Sequence, residues 1–429
     1  MSTSLIAPWL SDSRWPTAPI RFVARLGSGH TPSRNVPEYW EDCKVPWITL
    51  ADVWQLRTGR VDVIKDTKEK ISSLGLANSS AVRHPAGTVI LSRTASVGFS
   101  AIMGTAMATS QDFATWTCGP DLDPRFLLHS LRAMAPDLKR VATGSTHKTI
   151  YMPDIEQLRV PLPSIGEQRR VADFLDAETA RIDALLEARD RQMNLLTLHA
   201  ASSLNDVMER LSREYGTVRL RRVLMSMEQG WSPQCEDRHV GDGEWGVVKA
   251  GCVNSGRFDV MQHKALPPNV EPRKEYKLRD GDLLMSRASG SPELIGSIGV
   301  VEGLERQLLL CDKVYRLRVD RTRALAPFIA HALRCHSVRE YIKLGISGAE
   351  GMANNLPTAV VMGCLIPEAP LAVQRDVVAE REQEEAAVKR MRASIGRASS
   401  LLAERRQSLI TAAVTGQLDV TTAGRAAAV

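Results

Sequence analysis

The sequence has few of the residues that cross-link small secreted proteins or hold metals. Its seven cysteines are all isolated and odd in number. This excludes a disulfide framework and a Cys-x-x-Cys zinc site, and it predicts reduced, buried thiols in a cytoplasmic protein. Cys335 and His336 are neighbours, but adjacent residues of a predicted helix point in different directions. We therefore predict no metal site.

Long apolar runs are also missing. No apolar stretch approaches the roughly 20 residues that a membrane-spanning helix needs. Residues 1–10 lack the basic segment and apolar stretch of a secretion signal. We expect a cytoplasmic protein with no membrane partner.

The sequence patterns of common catalytic sites are absent. There is no Gly-x-x-x-x-Gly-Lys-Ser/Thr loop, no Gly-x-Ser-x-Gly elbow, no His-Glu-x-x-His and no Asn-Pro-Pro-Tyr. The dipeptide Pro136-Asp137 lacks the following strand with Glu-x-Lys that a nuclease would need. We predict no catalytic residue and no cofactor bound by this chain, and therefore a recognition protein rather than an enzyme.

Aromatic residues make up only 5% of the chain, yet Tyr39, Trp40, Trp47 and Trp54 lie close together in sequence. One interpretation is a platform on which single-stranded bases stack. Packing in a core is favoured over it, because Trp47 falls in a predicted buried strand.

The charge balance favours an anionic partner. The net charge is +6 and the isoelectric point is about 9.0. The segment 167–215 carries ten acidic against seven basic side chains. The positive excess therefore belongs to the globular segments.

What the chain does contain is a duplication at a period of about two hundred residues, which indicates repeated domains rather than a solenoid. Similar pairs of segments are 160–171 and 366–377, 87–93 and 281–287, and 185–192 and 401–407. We expect the molecule to perform one task at two places.

Local patterns predict an α+β fold with two mixed α/β domains in a pseudo-twofold arrangement, separated by two long antiparallel coiled-coil helices. The predicted strands are Pro46–Val53, Thr88–Ser92 and Asp112–Thr117 in the first domain, and Gly246–Ala250, Asp282–Met285 and Val314–Val319 in the second. Each domain also has a predicted helix. The helix of the first domain begins at Pro124 with Asp123 as its cap, and that of the second begins at Pro327.

The long helices are predicted from a capping box and a heptad pattern. Ser164 and Glu167 have the spacing of a capping box, and no Pro or Gly follows until about Leu211. A matching segment runs from about Leu371 to Val414, with Gly396 as its one interruption. The predicted boundaries are 1–163 for the first domain, 164–215 for its helix, 216–370 for the second domain, and 371–429 for the second helix and tail.

The candidate DNA-contacting residues follow apolar strands or lie in glycine-rich loops. There they can offer backbone amides, hydroxyls and cations to phosphates or base edges. A solvated strand end or loop is the alternative for each one, and recurrence in both copies favours the functional interpretation. The candidates are Ser92, Arg93, Gly144, Ser145, Thr146, His147, Lys148, Ser286, Arg287, Ser347, Asn354 and Asn355.

Several motifs in one order resemble the specificity subunits of type I restriction-modification systems, from about residue 20 to 420. They are 28–33, 37–40, 45–52, 143–146, the Pro-Leu-Pro-x-x-x-Glu-Gln junction that ends at Gln168, and the tail 405–419. The second domain departs from the pattern at its opening, 229–233, which lacks the Tyr-Trp and Pro-Trp-Ile elements of the first.

The resemblance implies a non-catalytic subunit in which each domain is a target recognition domain that binds one half of a split double-stranded DNA site. The helices would set the spacing and dock two modification subunits, with Gln168, Arg169, Gln374 and Arg375 as candidate partner-binding residues. Restriction subunits, which translocate and cut DNA, would join them. S-adenosylmethionine, ATP and magnesium would be bound by these partners.

Two other interpretations remain open from the residues alone. One is a coiled-coil scaffold that binds only proteins, for which DNA affinity would show no steep dependence on salt. The other is a standalone DNA-modifying enzyme with an unrecognised site, for which the purified chain alone would transfer methyl groups.

Overall fold

The computed structural model describes residues 8–142, 148–347 and 354–422. The chain divides by its internal contacts into two units. Unit 1 comprises Met1–Arg191 and Ile395–Val429, and unit 2 comprises Gln192–Ser394.

Unit 1 begins with a mixed set of short strands and helices. Its strands are β1 (Thr17–Pro19), β2 (Ala24–Ser28), β3 (Val45–Ile48), β4 (Val63–Ile64), β5 (Glu69–Ile71), β6 (Val89–Ser92), β7 (Ser100–Met103), β8 (Ala108–Thr109), β9 (Phe113–Cys118) and β10 (Arg159–Pro161). Its short helices are α1 (Ser73–Ala77), α2 (Pro124–Ala133), α3 (Ala135–Val141) and α4 (Met152–Glu156), and the long helix α5 (Ile165–Tyr215) starts in this unit.

The strands of unit 1 form a five-stranded sheet in the order β2-β9-β6-β7-β4, a three-stranded sheet β5-β3-β8 and the pair β1-β10. Helix α2 packs on the larger sheet, where Trp116 and Phe126 are fully buried in one apolar core. Asp123 caps α2 by accepting hydrogen bonds from the amides of Arg125 and Phe126, as predicted.

Unit 2 carries a second series of elements. Its strands are β11 (Thr217–Arg219), β12 (Leu224–Gln229), β13 (Trp245–Val248), β14 (His263–Ala265), β15 (Leu283–Ser286), β16 (Ala288–Ser289), β17 (Ile298–Val300), β18 (Gln307–Leu309), β19 (Val314–Val319), β20 (Asn354–Asn355) and β21 (Leu365–Pro367). Its helices are α6 (Ala326–Arg334), α7 (His336–Leu344) and α8 (Thr358–Gly363), and the long helix α9 (Leu371–Val414) starts here.

The sheets of unit 2 follow those of unit 1, except that the larger one has four strands and no counterpart of β4. The larger sheet has the order β12-β19-β15-β17, and the smaller has the order β14-β13-β18. In both smaller sheets the central strand pairs antiparallel with one neighbour and parallel with the other. The duplication inferred from the sequence is therefore a duplication of topology.

The long helices begin and pair as their local sequence predicts. The Ser164 amide donates to the Glu167 carboxylate at 3.0 Å, and the Glu167 amide donates to the Ser164 hydroxyl at 3.3 Å. This reciprocal pair satisfies donors that would otherwise lack partners at the helix start.

Segments of α5 and α9 lie side by side in each unit. In unit 1 the Arg406 guanidinium lies 3.1 Å from the Asp183 carboxylate, and Val171 and Leu175 share a core with Ile410. Later residues of one helix thus face earlier residues of the other, so the segments run antiparallel.

The same order holds in unit 2. Ser203 is hydrogen-bonded to Glu384 at 3.2 Å, and Thr197 to Arg392 at 2.7 Å. The apolar residues at the heptad spacing of α9 are not all buried, however, since Met391 and Leu401 are exposed.

Two predicted elements are shorter than expected. Strand β3 ends at Ile48 because Thr49 and Asp52 form a capping box that starts a 3-10 helix over Leu50–Leu56. The predicted helix from Pro327 divides at Cys335, whose ψ of 146° is not helical. In both cases a local turn overrides a continuous apolar pattern.

Within the described residues no helix is long and apolar enough to cross a membrane. The same part of the chain holds no cluster of three or more potential metal ligands.

Trp47 is buried and packs edge-on against Trp40 at 5.6 Å between ring centroids, which confirms its assignment to the core, whereas Trp54 is exposed.

Candidate nucleic-acid interface

In unit 1 three strand ends meet at one edge of the larger sheet. Ser28, at the end of β2, pairs with Ala114, and Ser92, at the end of β6, pairs with Phe113. Because both strands run antiparallel to β9, the loops that follow β2 and β6 and the loop that precedes β9 lie together. Arg93 and the turn around Gly29 belong to these loops.

A close backbone approach shapes the first of these loops. The His30 amide donates to the Thr109 carbonyl at 3.0 Å. A Cβ atom on Gly29 would overlap that same carbonyl oxygen, so only glycine fits there. The turn presents His30 as an exposed side chain.

The guanidinium of Arg93 is fixed by backbone carbonyls. Its Nε donates to the Gln111 carbonyl at 3.0 Å, and one terminal nitrogen donates to the Ile150 carbonyl at 3.4 Å. The side chain is partly buried. Arg93 therefore contributes a positioned positive charge at this edge, with some of its donors already used.

The side chain of Gln111 is held beside Arg93 by a hydroxyl. The Thr31 hydroxyl donates to Gln111 Oε1 at 2.7 Å. We define the polar cluster of unit 1 as Gly29–Thr31, Arg93 and Gln111.

Lys148 lies next to this cluster. Its carbonyl accepts from the Ala95 amide at 2.8 Å, and Thr94 forms a bridge with Thr149. The lysine side chain is exposed. The candidates Gly144, Ser145, Thr146 and His147 precede it and lie outside the described residues.

Unit 2 repeats the glycine turn at the matching place. The Trp231 amide donates to the Leu310 carbonyl at 3.0 Å, and a Cβ atom on Gly230 would overlap that carbonyl. Trp231 is partly buried and lies under the Arg273 guanidinium, 4.7 Å from it.

The arginine and the hydroxyl group of unit 2 make contacts like those of Arg93 and Thr31 in unit 1. A terminal nitrogen of Arg287 donates to the Asp312 carbonyl at 3.3 Å, and the Ser232 hydroxyl donates to Asp312 Oδ1. We define the polar cluster of unit 2 as Gly230–Ser232, Arg287 and Asp312. The glycine turn, the arginine bond to a backbone carbonyl and the hydroxyl bond to a side-chain oxygen each have a counterpart in unit 1.

The predicted loop of unit 2 joins this cluster through backbone pairing. Strand β20 pairs with β16 beside Arg287, with Asn355 opposite Ala288 and Asn354 opposite Ser289. Ser347 and Asn355 exchange amide hydrogen bonds at 3.0 and 2.8 Å, and this pair forms the base of the loop. Ser347 is exposed, and Asn354 and Asn355 are partly buried.

Two of the candidate residues are buried and not exposed as predicted. Ser92 and Ser286 are fully buried, and their hydroxyls have no hydrogen-bond partner among the described residues. Each serine is the last residue of a central strand, so its side chain points into the core rather than towards the following loop. We remove both from the set that could contact DNA.

Gln168 and Gln374 are also buried, contrary to the expectation that they form a docking surface. Gln168 accepts from the Asp123 amide at 2.9 Å and donates to the carbonyls of Asp121 and Pro163 at 2.8 and 3.0 Å. Gln374 likewise accepts from the Leu325 amide and donates to the carbonyls of Arg323 and Ala369.

Each glutamine thus joins the first turn of a long helix to the loop before α2 or α6, so neither side chain can reach a partner protein. Their neighbours Arg169 and Arg375 are exposed and stay available for docking.

Helices α2 and α6 share the pattern Phe-x-x-His-x-Leu-Arg, which begins at Phe126 and Phe328. In unit 1, His129 Nε2 lies 2.7 Å from Asp176 on α5, and Arg132 lies 2.5 Å from Asp62. In unit 2, Arg334 lies 3.5 Å from Glu385 on α9. The His129–Asp176 hydrogen bond and the Arg334–Glu385 ion pair join each domain to a long-helix segment of its own unit, whereas the Arg132–Asp62 pair lies within the domain.

Burial controls the titration of these groups. Burial lowers the pKa of His129, although the Asp176 carboxylate opposes the shift. Burial would raise the pKa of Asp176, but hydrogen bonds from His129 and Arg125 outweigh it and lower that pKa. Burial lowers the pKa of His331 to about 4.

Thr31, Gln111, Ser232 and Asp312 were not among the sequence candidates. Their only signal is the repeated spacing Gly-x-Thr/Ser-Pro, at 29–32 and 230–233. The residues that complete the contact, Gln111 and Asp312, are each 80 positions further along the chain and carry no motif of their own.

The chain thus holds two domains of similar topology, each with a polar cluster at the same sheet edge. The family model described as "Type I restriction modification DNA specificity domain" matches residues 13–193.

Known specificity subunits are similar over part or most of the chain. The type I restriction enzyme EcoEI specificity subunit of Escherichia coli is 28% identical over 165 residues, which are 38% of this chain and 28% of that subunit. The StySPI specificity subunit of Salmonella potsdam is 21% identical over 431 residues, 94% of this chain and 89% of that subunit.

A solved structure shares the fold. A chain from a study of the assembly and conformational transition of a type I R-M system superimposes with a TM-score of 0.69 at 18% identity, covering 94% of this chain and 98% of that one. The chain is therefore similar in sequence and in fold to specificity subunits of type I restriction-modification systems, which confirms the resemblance carried by its motifs.

Proposed function

We propose that this chain is the DNA specificity subunit of a type I restriction-modification complex. Each domain binds one half of a bipartite double-stranded DNA site, and the long helices set the distance between the halves. The observation that carries the proposal is the pair of polar clusters, which share one backbone frame and differ in the side chains they present. A repeated frame with different side chains suits a protein that reads two unlike sequences by one mechanism.

The chain acts without catalysis in this proposal. It binds DNA in the cytoplasm together with two modification subunits and with restriction subunits. The exposed Arg169 and Arg375, at the helix starts, are candidate contacts for the modification subunits. S-adenosylmethionine, ATP and magnesium are bound by those partners, where methyl transfer and DNA cleavage take place.

The clusters support DNA as the ligand because each combines a fixed guanidinium with a hydroxyl group and one further polar side chain, an amide in unit 1 and a carboxylate in unit 2. Guanidinium donors suit phosphates and guanine edges, and short polar side chains suit base edges. Lys148 adds an exposed cation beside the cluster of unit 1, where a phosphate contact strengthens binding to every sequence alike.

The test is selection of duplexes from a random-sequence library by the full-length chain in complex with its modification subunits. We expect enrichment of a two-part sequence with a fixed gap. Recovery of unenriched sequence, together with DNA affinity that is flat against salt, would instead support a protein-binding scaffold.

The variant Lys148→Ala separates phosphate contacts from base contacts in the same assay. We expect weaker binding to all duplexes and a smaller slope of log affinity against log salt, lower by about 1. A loss confined to one half-site sequence would show that Lys148 reads bases instead.

A further inference from the structure

The two polar clusters present opposite hydrogen-bonding groups at one equivalent position. In unit 1 the Thr31 hydroxyl donates to Oε1 of Gln111, and the Nε2 amide group of Gln111 has no acceptor among the described residues. In unit 2 the Ser232 hydroxyl donates to Oδ1 of Asp312, and Oδ2 of Asp312 receives no hydrogen bond from the described residues. The free group is therefore a donor in unit 1 and an acceptor in unit 2.

These positions are comparable because the surrounding backbone is the same. Gln111 and Asp312 each accept an arginine hydrogen bond at their backbone carbonyl, from Arg93 and Arg287. Each comes shortly before the first residue of the matching central strand, β9 or β19. A difference in function must then come from the side chains.

An acid at this position argues for contact with base edges. Phosphates repel a carboxylate, so Asp312 would weaken binding if its position faced the DNA backbone. In the major groove a carboxylate has a partner, since it accepts from an exocyclic amino group. The same position in unit 1 carries an amide that is able to donate.

The geometry points to Gln111 and Asp312 as residues that determine base choice in the two half-sites, with opposite polarity. Gln111 donates its amide hydrogen to the keto oxygen of guanine or thymine. Asp312 accepts from the amino group of cytosine or adenine. Thr31 and Ser232 position these side chains and do not read bases themselves. The inference rests on the proposed function and adds to it the chemical class of base at one position of each half-site.

The experiment uses isosteric exchanges at the two positions. Full-length wild-type chain, Gln111→Glu and Asp312→Asn, each in complex with the modification subunits, select duplexes from a random-sequence library. A carboxylate at position 111 can still accept from Thr31, so the side chain keeps its place. Gln157→Glu is the matched control, because it puts the same charge on another exposed residue of unit 1.

We expect Gln111→Glu to change one position of one half-site from a keto base to an amino base, with a change in preference of about tenfold or more. Asp312→Asn should relax the amino preference at one position of the other half-site, because its side-chain amide can also donate. Gln157→Glu should leave the selected sequence unchanged.

The outcomes distinguish this inference from the proposed function. If the wild type selects a two-part sequence and both variants select the same one, the inference is overturned while the proposed function stands. Uniform weakening on all sequences overturns it as well, since that is the result for a phosphate contact. If the wild type selects no sequence, the proposed function itself fails.

Discussion

At the scale of single residues, Gln168 shows how a polar side chain can hold a domain to a helix. Its amide makes all three of its hydrogen bonds to backbone groups, and it is fully buried. Replacement by leucine removes the partner of the partly buried Asp123 amide and of the carbonyls of Asp121 and Pro163. We expect Gln168→Leu to lower the free energy of unfolding by about 3 kcal/mol, since each unsatisfied group costs about 1 kcal/mol or more.

Urea unfolding of the full-length chain measures this effect. The matched control is Gln383→Leu, which changes the same residue type at an exposed site of α9 and should alter stability by less than about 0.5 kcal/mol. Equal effects of the two replacements would mean that the buried bonds of Gln168 contribute nothing.

His331 gives a prediction about pH. Burial, with the nearby Arg334, lowers its pKa from 6.5 to about 4. Between those values the unfolded chain binds a proton at this histidine that the folded chain does not. The free energy of unfolding therefore falls as the pH falls from about 6.5 to about 4, by up to about 1.4 kcal/mol per pH unit from this group.

We expect His331→Gln to reduce the dependence of stability on pH in that window, as measured by urea unfolding at several pH values. His336→Gln serves as the control, because His336 is exposed. A slope that His331→Gln leaves unchanged would contradict burial of a neutral imidazole.

At the scale of elements, the long helix α9 contains an unfavourable residue whose removal should stabilise it. Gly396 is exposed within α9, and a Cβ atom there would meet nothing within 4 Å. We expect Gly396→Ala to raise the free energy of unfolding by about 1 kcal/mol, the usual difference between these residues in a helix.

A second glycine gives the opposite result. Gly416 has a φ of +74°, and its Cβ would lie 2.9 Å from the Trp15 ring. Gly416→Ala should therefore lower the free energy of unfolding, and urea unfolding of both glycine variants measures the two opposite effects. If Gly396→Ala also destabilised it, the assignment of an uninterrupted helix would be contradicted.

The elements that the sequence predicted well are those set by neighbours in the chain. The capping box of Ser164 and Glu167 and the cap at Asp123 depend on residues three or fewer positions apart. What the sequence could not predict depends on distant partners. Gln168 is hydrogen-bonded to a residue 47 positions away, and Thr31 to a residue 80 positions away. The burial of Gln168 and the contact of Thr31 with Gln111 are therefore visible only in the folded structure.

At the scale of the whole molecule, the duplication joins the sequence, the fold and the proposed function. The two copies in the sequence correspond to two units whose larger sheets share four strands in the same order. The polar clusters lie at the same edge of these larger sheets. The candidate residues Arg93, Lys148 and Arg287 lie in or beside these clusters. The differences between the clusters, Gln111 against Asp312 and His30 against Trp231, are where two half-sites would be distinguished.

The most direct measurement for this account is a map of methylated adenines in the source genome, with and without this gene. The account predicts that methylation at one two-part sequence disappears when the gene is removed and returns when it is restored. Methylation that is unchanged by removal of the gene, in cells where the modification subunits are expressed, would contradict it.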